Sequence, residues 1–105
     1  MQKNRDVGAH RCAPEAAAHI LIHGRVQGVG YRYFVEDQAQ TLSLVGWVRN
    51  LPQGDVEAYA EGSRNDLEQW IEQLRKGPPL SRVEKLSVDW PPPENRHSSF
   101  SIEVT

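Results

Sequence analysis

From residue 18 onward the chain switches between two hydrophobic periods. In Ala18–His23, Ile20 and Ile22 fall on one side of an extended segment, with Leu21 between His19 and His23 on the other, which predicts a first strand. The period lengthens over Arg32–Leu42. There Val35, Ala39 and Leu42 recur at i, i+4 and i+7, Phe34 widens the stripe, and Glu36, Asp37 and Gln40 face away, the pattern of an amphipathic helix. Val45–Asn50 and Asp55–Glu61 read as a hairpin turned by Leu51-Pro52-Gln53-Gly54, with Val56, Ala58 and Ala60 pointing inward. Ser63, with Asp66 at the third position, is placed to cap a second helix in which Leu67, Trp70, Ile71 and Leu74 keep the i, i+3, i+4, i+7 spacing. Gly77-Pro78-Pro79 stops that helix. Arg82–Trp90 is a further strand, Pro91–Pro93 and Glu94–His97 a stiff connection, and Phe100, Ile102 and Val104 alternate in a last short strand.

The order βαββαβ with a short added strand predicts an α+β, ferredoxin-like split βαβ sandwich, two helices covering one face of an antiparallel sheet. In that arrangement the first two strands run parallel with the third between them. Their C-terminal ends then emerge at one sheet edge about 10 Å apart, from the ~4.8 Å strand spacing. Residues 17–105 form this one domain, and residues 1–16, polar and aperiodic, read as a flexible N-terminal tail that carries no chemistry.

Composition narrows the partners. The 105 residues carry a net charge of −2, and their 12 basic residues are scattered, which argues against nucleic acid or an anionic membrane surface. Cys12 is the only cysteine, the N-terminal stretch has no apolar signal core, and no run approaches a membrane span, so a cytoplasmic protein is expected. Cys12 is not a phosphatase nucleophile, since the arginine such a site needs six positions later is replaced by alanine. His19 and His23 share one strand face but lack a third ligand, so no metal site is expected.

One loop stands out between the first strand and the first helix: Gly24-Arg25-Val26-Gln27-Gly28-Val29-Gly30-Tyr31-Arg32. Glycines allow successive amides to curl around an anion, a helix N-terminus adds partial positive charge, and Arg32 adds a full one. It lacks the Gly-Lys-Ser/Thr ending of a nucleotide P-loop and the spacing of the dinucleotide fingerprint. A phosphate-sized anion fits the chemistry.

Gly24-x-Val26-Gln27-Gly28-Val29-x-Tyr31-Arg32 resembles the first signature of the acylphosphatase family. Gly46-Trp47-Val48-Arg49-Asn50, then Gly54-x-Val56 and Gly62, resembles the second, and the similarity runs from about residue 18 to 105. The resemblance implies hydrolysis of a small acyl phosphate to carboxylate and inorganic phosphate, the latter also an inhibitor, by a monomer without cofactor or metal. It implies Arg32 as the phosphate-binding arginine, Asn50 as the residue orienting the attacking water, and the backbone amides of Gln27, Gly28, Val29, Gly30 and Tyr31 as the phosphate cradle. Tyr31 stands where the family has phenylalanine or methionine, and Ser43 where it has glycine. Two other readings remain at this point. Gly30-Tyr31-Arg32-Tyr33-Phe34 faintly echoes the RNA-stacking motif of ferredoxin-like RNA binders, but with the wrong flanking residues and on a predicted helix. A catalytically inactive small-anion regulatory domain is the stronger rival.

Overall fold

The structure is a computed structural model that describes residues 13–104. Cys12, most of the expected tail and Thr105 lie outside the described residues. The elements in chain order are β1 (Ala16–Arg25), α1 (Tyr31–Thr41), β2 (Val45–Asn50), β3 (Val56–Gly62), α2 (Arg64–Lys76), β4 (Arg82–Asp89) and β5 (Phe100–Ile102). The strands lie side by side in the order β4-β1-β3-β2-β5. β3 is antiparallel to both β1 and β2, so those two run parallel with β3 between them, as the ferredoxin-like reading expects.

β1 is longer than its hydrophobic alternation suggested, because its ends are held by ladder bonds rather than by apolar side chains. Ala16 pairs with Gly62, and Arg25 pairs with Arg82 across a register shift at His23 and Gly24. The sheet is also mixed rather than wholly antiparallel. β4 and β5 occupy opposite edges, so the proline-rich connection must cross between them, and β5 arrives running parallel to β2 with Phe100 opposite Gly46. β5 ends at Ile102. Val104, expected to alternate inward, is 90% exposed, since the last ladder bond from this segment is Glu103 N–H to the Val48 carbonyl.

The helical stripes behave as their spacing requires. Val35 and Ala39 of α1 and Leu67, Trp70, Ile71 and Leu74 of α2 are buried against Ile20, Ile22, Val48, Val56, Ala58 and Ala60 of the sheet. Each large side chain so buried stabilises the fold by about 1.5–3 kcal/mol. The Trp70 indole N–H donates to the Val35 carbonyl at 3.2 Å, tying α2 to α1 through the core. Tyr31–Phe34 therefore lie in a helix and not on a central strand, where an RNA-stacking motif would need them.

The other sheet face carries His19, His23, Glu57, Tyr59 and Glu61, and the connection before β5 covers Tyr59 and Glu61. Trp47 stacks on Tyr59 with ring centroids 6.0 Å apart, so it packs the sheet. The two β1 histidines are both engaged by carboxylates, His19 by Glu57 at 2.6 Å and His23 by Asp55 at 2.7 Å. Burial pushes the Glu57 carboxyl up, but hydrogen bonds from His19 and Arg49 outweigh it and hold that carboxyl below its ordinary range. At the end of α1, Ser43 adopts a left-handed φ of 58°, a conformation that costs serine on the order of 1 kcal/mol relative to glycine.

Candidate active site

The segment joining β1 to α1 is pegged at both ends by side chains. Val26 is buried and Val29 packs against the core, while Gly28 and Gly30 between and after them take φ values of 75° and 77°. A Cβ at either glycine would meet open space, so the left-handed backbone, not crowding, is what calls for glycine there. Among the described residues, none supplies a hydrogen-bond acceptor to the amides of Gln27 through Tyr31. Gly30, as the N-cap of α1, brings no side-chain cap, and the first turn of α1 holds no acidic residue. The start of this helix thus keeps its partial positive charge uncompensated.

Arg32, the second residue of α1, adds a full charge to that helix start. Among the described residues it forms no ion pair with a carboxylate; its recorded contact is a long 3.5 Å one from Nη1 to the Glu103 carbonyl. Asn50 ends β2 opposite Val56, whose buried side chain marks the helix-covered face of the sheet. The Asn50 Oδ1 is buried and has no hydrogen-bond partner among the described residues. An acceptor left in that condition costs about 1–3 kcal/mol, an outlay that a fold rarely carries without a reason of function.

The geometry brings these pieces together. A cavity of about 250 Å³ is lined by Gly28, Gly30, Tyr31, Arg32 and Asn50, with Val26 behind them and Tyr33, 70% exposed, beside them. Of the residues singled out in the sequence, five therefore share one cavity. Gln27 and Val29 flank it with their side chains directed elsewhere: Val29 into the core, Gln27 toward the hairpin turn.

Two side-chain roles here had no signal in the sequence. The Gln27 carboxamide donates from Nε2 to the Leu51 and Asp55 carbonyls, both at 2.8 Å, and so fastens the glycine loop to the turn that follows Asn50. Its acceptors are main-chain atoms, which no residue pattern marks. Tyr31 turns its ring into the core and donates its hydroxyl to the Leu74 carbonyl of α2 at 2.8 Å. Burial pushes that hydroxyl well above the ordinary tyrosine range, which keeps it a neutral donor. The hydroxyl that a phenylalanine would lack thus satisfies a carbonyl in the last turn of α2.

The arrangement suits an anion: unpaired amides, a helix start and a guanidinium converge on a small space, with one carboxamide beside them. The acylphosphatase family model matches residues 18–102 of the chain. An acylphosphatase of Acaryochloris marina is 56% identical over 69 residues, which are 66% of this chain and 74% of that protein. One of Thermococcus kodakarensis is 49% identical over 77 residues, 73% of this chain and 85% of its own length. The crystal structure of an acylphosphatase from Bacillus subtilis superposes with a TM-score of 0.81 at 42% identity, covering 84% of this chain and 98% of the other.

Proposed function

This chain belongs to the acylphosphatase family and is a hydrolase of acyl phosphates, and on that premise we propose that Arg32 and the loop amides hold the phosphoryl group while Asn50 positions the attacking water. The observation that carries this assignment is the meeting of Arg32, the glycine loop and the unpartnered Asn50 Oδ1 in one cavity.

The reaction is R–CO–OPO₃²⁻ plus water to carboxylate and inorganic phosphate. Arg32 offers planar, paired donors to two phosphoryl oxygens, and the amides of Gln27, Gly28, Val29, Gly30 and Tyr31 take the remaining charge. The Asn50 carboxamide oxygen accepts a hydrogen bond from the water, which turns the water's lone pair toward phosphorus, in line with the leaving group, and the proton shed by the water ends on the released phosphate. The transition state is loose, so positioning and charge neutralisation supply most of the acceleration. The leaving carboxylate has a conjugate acid of pKa about 4 and departs without a proton, which is why the site needs no general acid. No metal or cofactor enters this scheme.

Inorganic phosphate, carrying the same charge and shape as the transferred group, acts as product and inhibitor. The cavity draws both Arg32 and Asn50 from one chain, which supports a monomer as the working unit. With one cysteine in 105 residues, a reducing cytoplasmic setting belongs to the same proposal.

The test is phosphate release from acetyl phosphate, with and without excess chelator, beside a phosphomonoester. Turnover of the acyl phosphate should be unaffected by chelator and should far exceed hydrolysis of the monoester, whose alkoxide leaving group does need a proton. Phosphate binding without any turnover would instead identify a small-anion regulatory domain.

A further inference from the structure

At the end of the sheet far from Asn50, side chains from two distant segments converge on a second cavity. From the Asn50–Val56 pair to the Val45–Glu61 pair, β2 runs about 17 Å at roughly 3.4 Å per residue. Glu61, on β3, is 1% exposed. Its Oε2 accepts the Tyr59 hydroxyl at 2.5 Å and the Glu94 and Asn95 amides at 2.6 and 3.3 Å. Its Oε1 is buried and accepts nothing among the described residues. Three donors therefore fix the carboxyl group and leave one oxygen unused.

Two further ligand-bearing side chains lie beside it. Atoms of Glu61, Glu94 and His97 all fall within 4.8 Å of one another. His97 Nε2 is 2.7 Å from Glu94 Oε1, an oxygen that Arg96 also reaches at 3.3 Å. The imidazole is held tilted against the Tyr59 ring, with centroids 5.4 Å apart. The adjoining cavity, about 250 Å³, is lined by Glu61, Asn95, His97 and Ser43.

We propose that Glu61, Glu94 and His97 bind a zinc-class divalent cation, which fastens the connection between β4 and β5 to the end of β3. Two carboxyl oxygens and one imidazole nitrogen form a mixed donor set that suits zinc better than calcium or magnesium, which favour oxygen alone. Donors on a tetrahedral zinc ion stand about 3.3 Å apart, from bonds of about 2.0–2.2 Å, so atoms already within 4.8 Å need only small rotations to close on it. The Tyr59 hydroxyl and the two amides do what outer hydrogen bonds do at metal centres: they orient the Glu61 ligand before the ion arrives. This site is remote from the cavity shared by Arg32 and Asn50 and takes no part in the hydrolysis.

Zinc chloride titrated into the full-length chain should bind once per chain by calorimetry and should raise the thermal midpoint by about 5 °C at saturating metal. His97→Ala and Glu94→Gln, each compared with and without zinc, should lose that rise while keeping acetyl phosphate turnover. Glu94→Gln leaves the backbone amide to Glu61 in place, so it serves as the readout if His97→Ala loosens the connection. No rise at 1 mM zinc overturns the proposal, as does a rise that survives in both variants, which would put the ion on other histidines of the chain.

Discussion

The two helices of this domain begin in opposite ways. α2 opens on Ser63, whose Oγ accepts the Asp66 amide at 3.0 Å, and Asp66 itself sits in the first turn to meet the helix dipole. α1 opens on a glycine with no side chain to offer, no acid in its first turn, and an arginine at its second position. A missing cap costs about 1 kcal/mol, and setting a cation at a positive helix end adds to the strain. The same chain thus completes one helix start and leaves the other open, and the open one is where Asn50 and the glycine loop converge. An unfilled helix terminus beside a guanidinium that meets no carboxylate among the described residues is what the proposed anion site requires; a filled one only begins a helix.

Three substitutions break or sharpen that contrast. The largest effect is expected for Arg32→Ala, because in the proposed scheme the guanidinium holds the phosphoryl group in ground and transition states alike. kcat/KM should fall by about 10³-fold or more, and inhibition by inorganic phosphate should weaken in parallel, with Arg32→Lys recovering little. Steady-state kinetics with phosphate as inhibitor reads both numbers; unchanged phosphate inhibition would remove Arg32 from its assigned place.

Asn50→Ala should come next. Loss of one oriented water, about 3–4 kcal/mol of barrier, slows kcat about 10²- to 10³-fold, while the phosphate inhibition constant stays within about threefold. Circular dichroism must first show that the variant is folded. Loss of phosphate binding with kcat retained would exchange the two residues' roles.

The smallest effect belongs to the helix start that is already complete. Ser63→Ala should lower unfolding stability by about 1 kcal/mol in urea titration and leave acyl phosphate turnover unchanged. If instead Ser63→Ala slowed turnover tenfold, the division between a structural and a functional helix start would not hold.

The sequence made legible most of what depends on local period, Val104 beyond the end of β5 excepted. Ile20 and Ile22, the Leu67–Leu74 stripe and the Ser63 cap needed only neighbours within a turn or a pleat, and each stands as its spacing implied. Arg32, Asn50 and the glycines were legible through a resemblance spread over two signatures, and the topology that brings β1 and β2 side by side around β3 explains why both signatures reach one place. Interactions that join distant segments through main-chain atoms left no trace. Gln27 finds its acceptors at Leu51 and Asp55, and Glu61 finds its donors at Glu94 and Asn95, so neither side of these bonds is a residue type that a pattern could pick out. The direction of β5 was likewise invisible, because three alternating residues read the same whichever way they run.

The Gln27 carboxamide has a consequence for motion. Its two bonds end on either side of the turn, at Leu51 and Asp55, and the Asp55 carbonyl accepts the Leu51 amide as well. Lifting the glycine loop therefore requires stripping both turn carbonyls at once, and displacing the turn drags the loop with it. The bonds couple the opening of loop and turn, so amide hydrogen exchange in Gln27–Gly30 and in Leu51–Asp55 should rise and fall together, and Gln27→Ala should uncouple them.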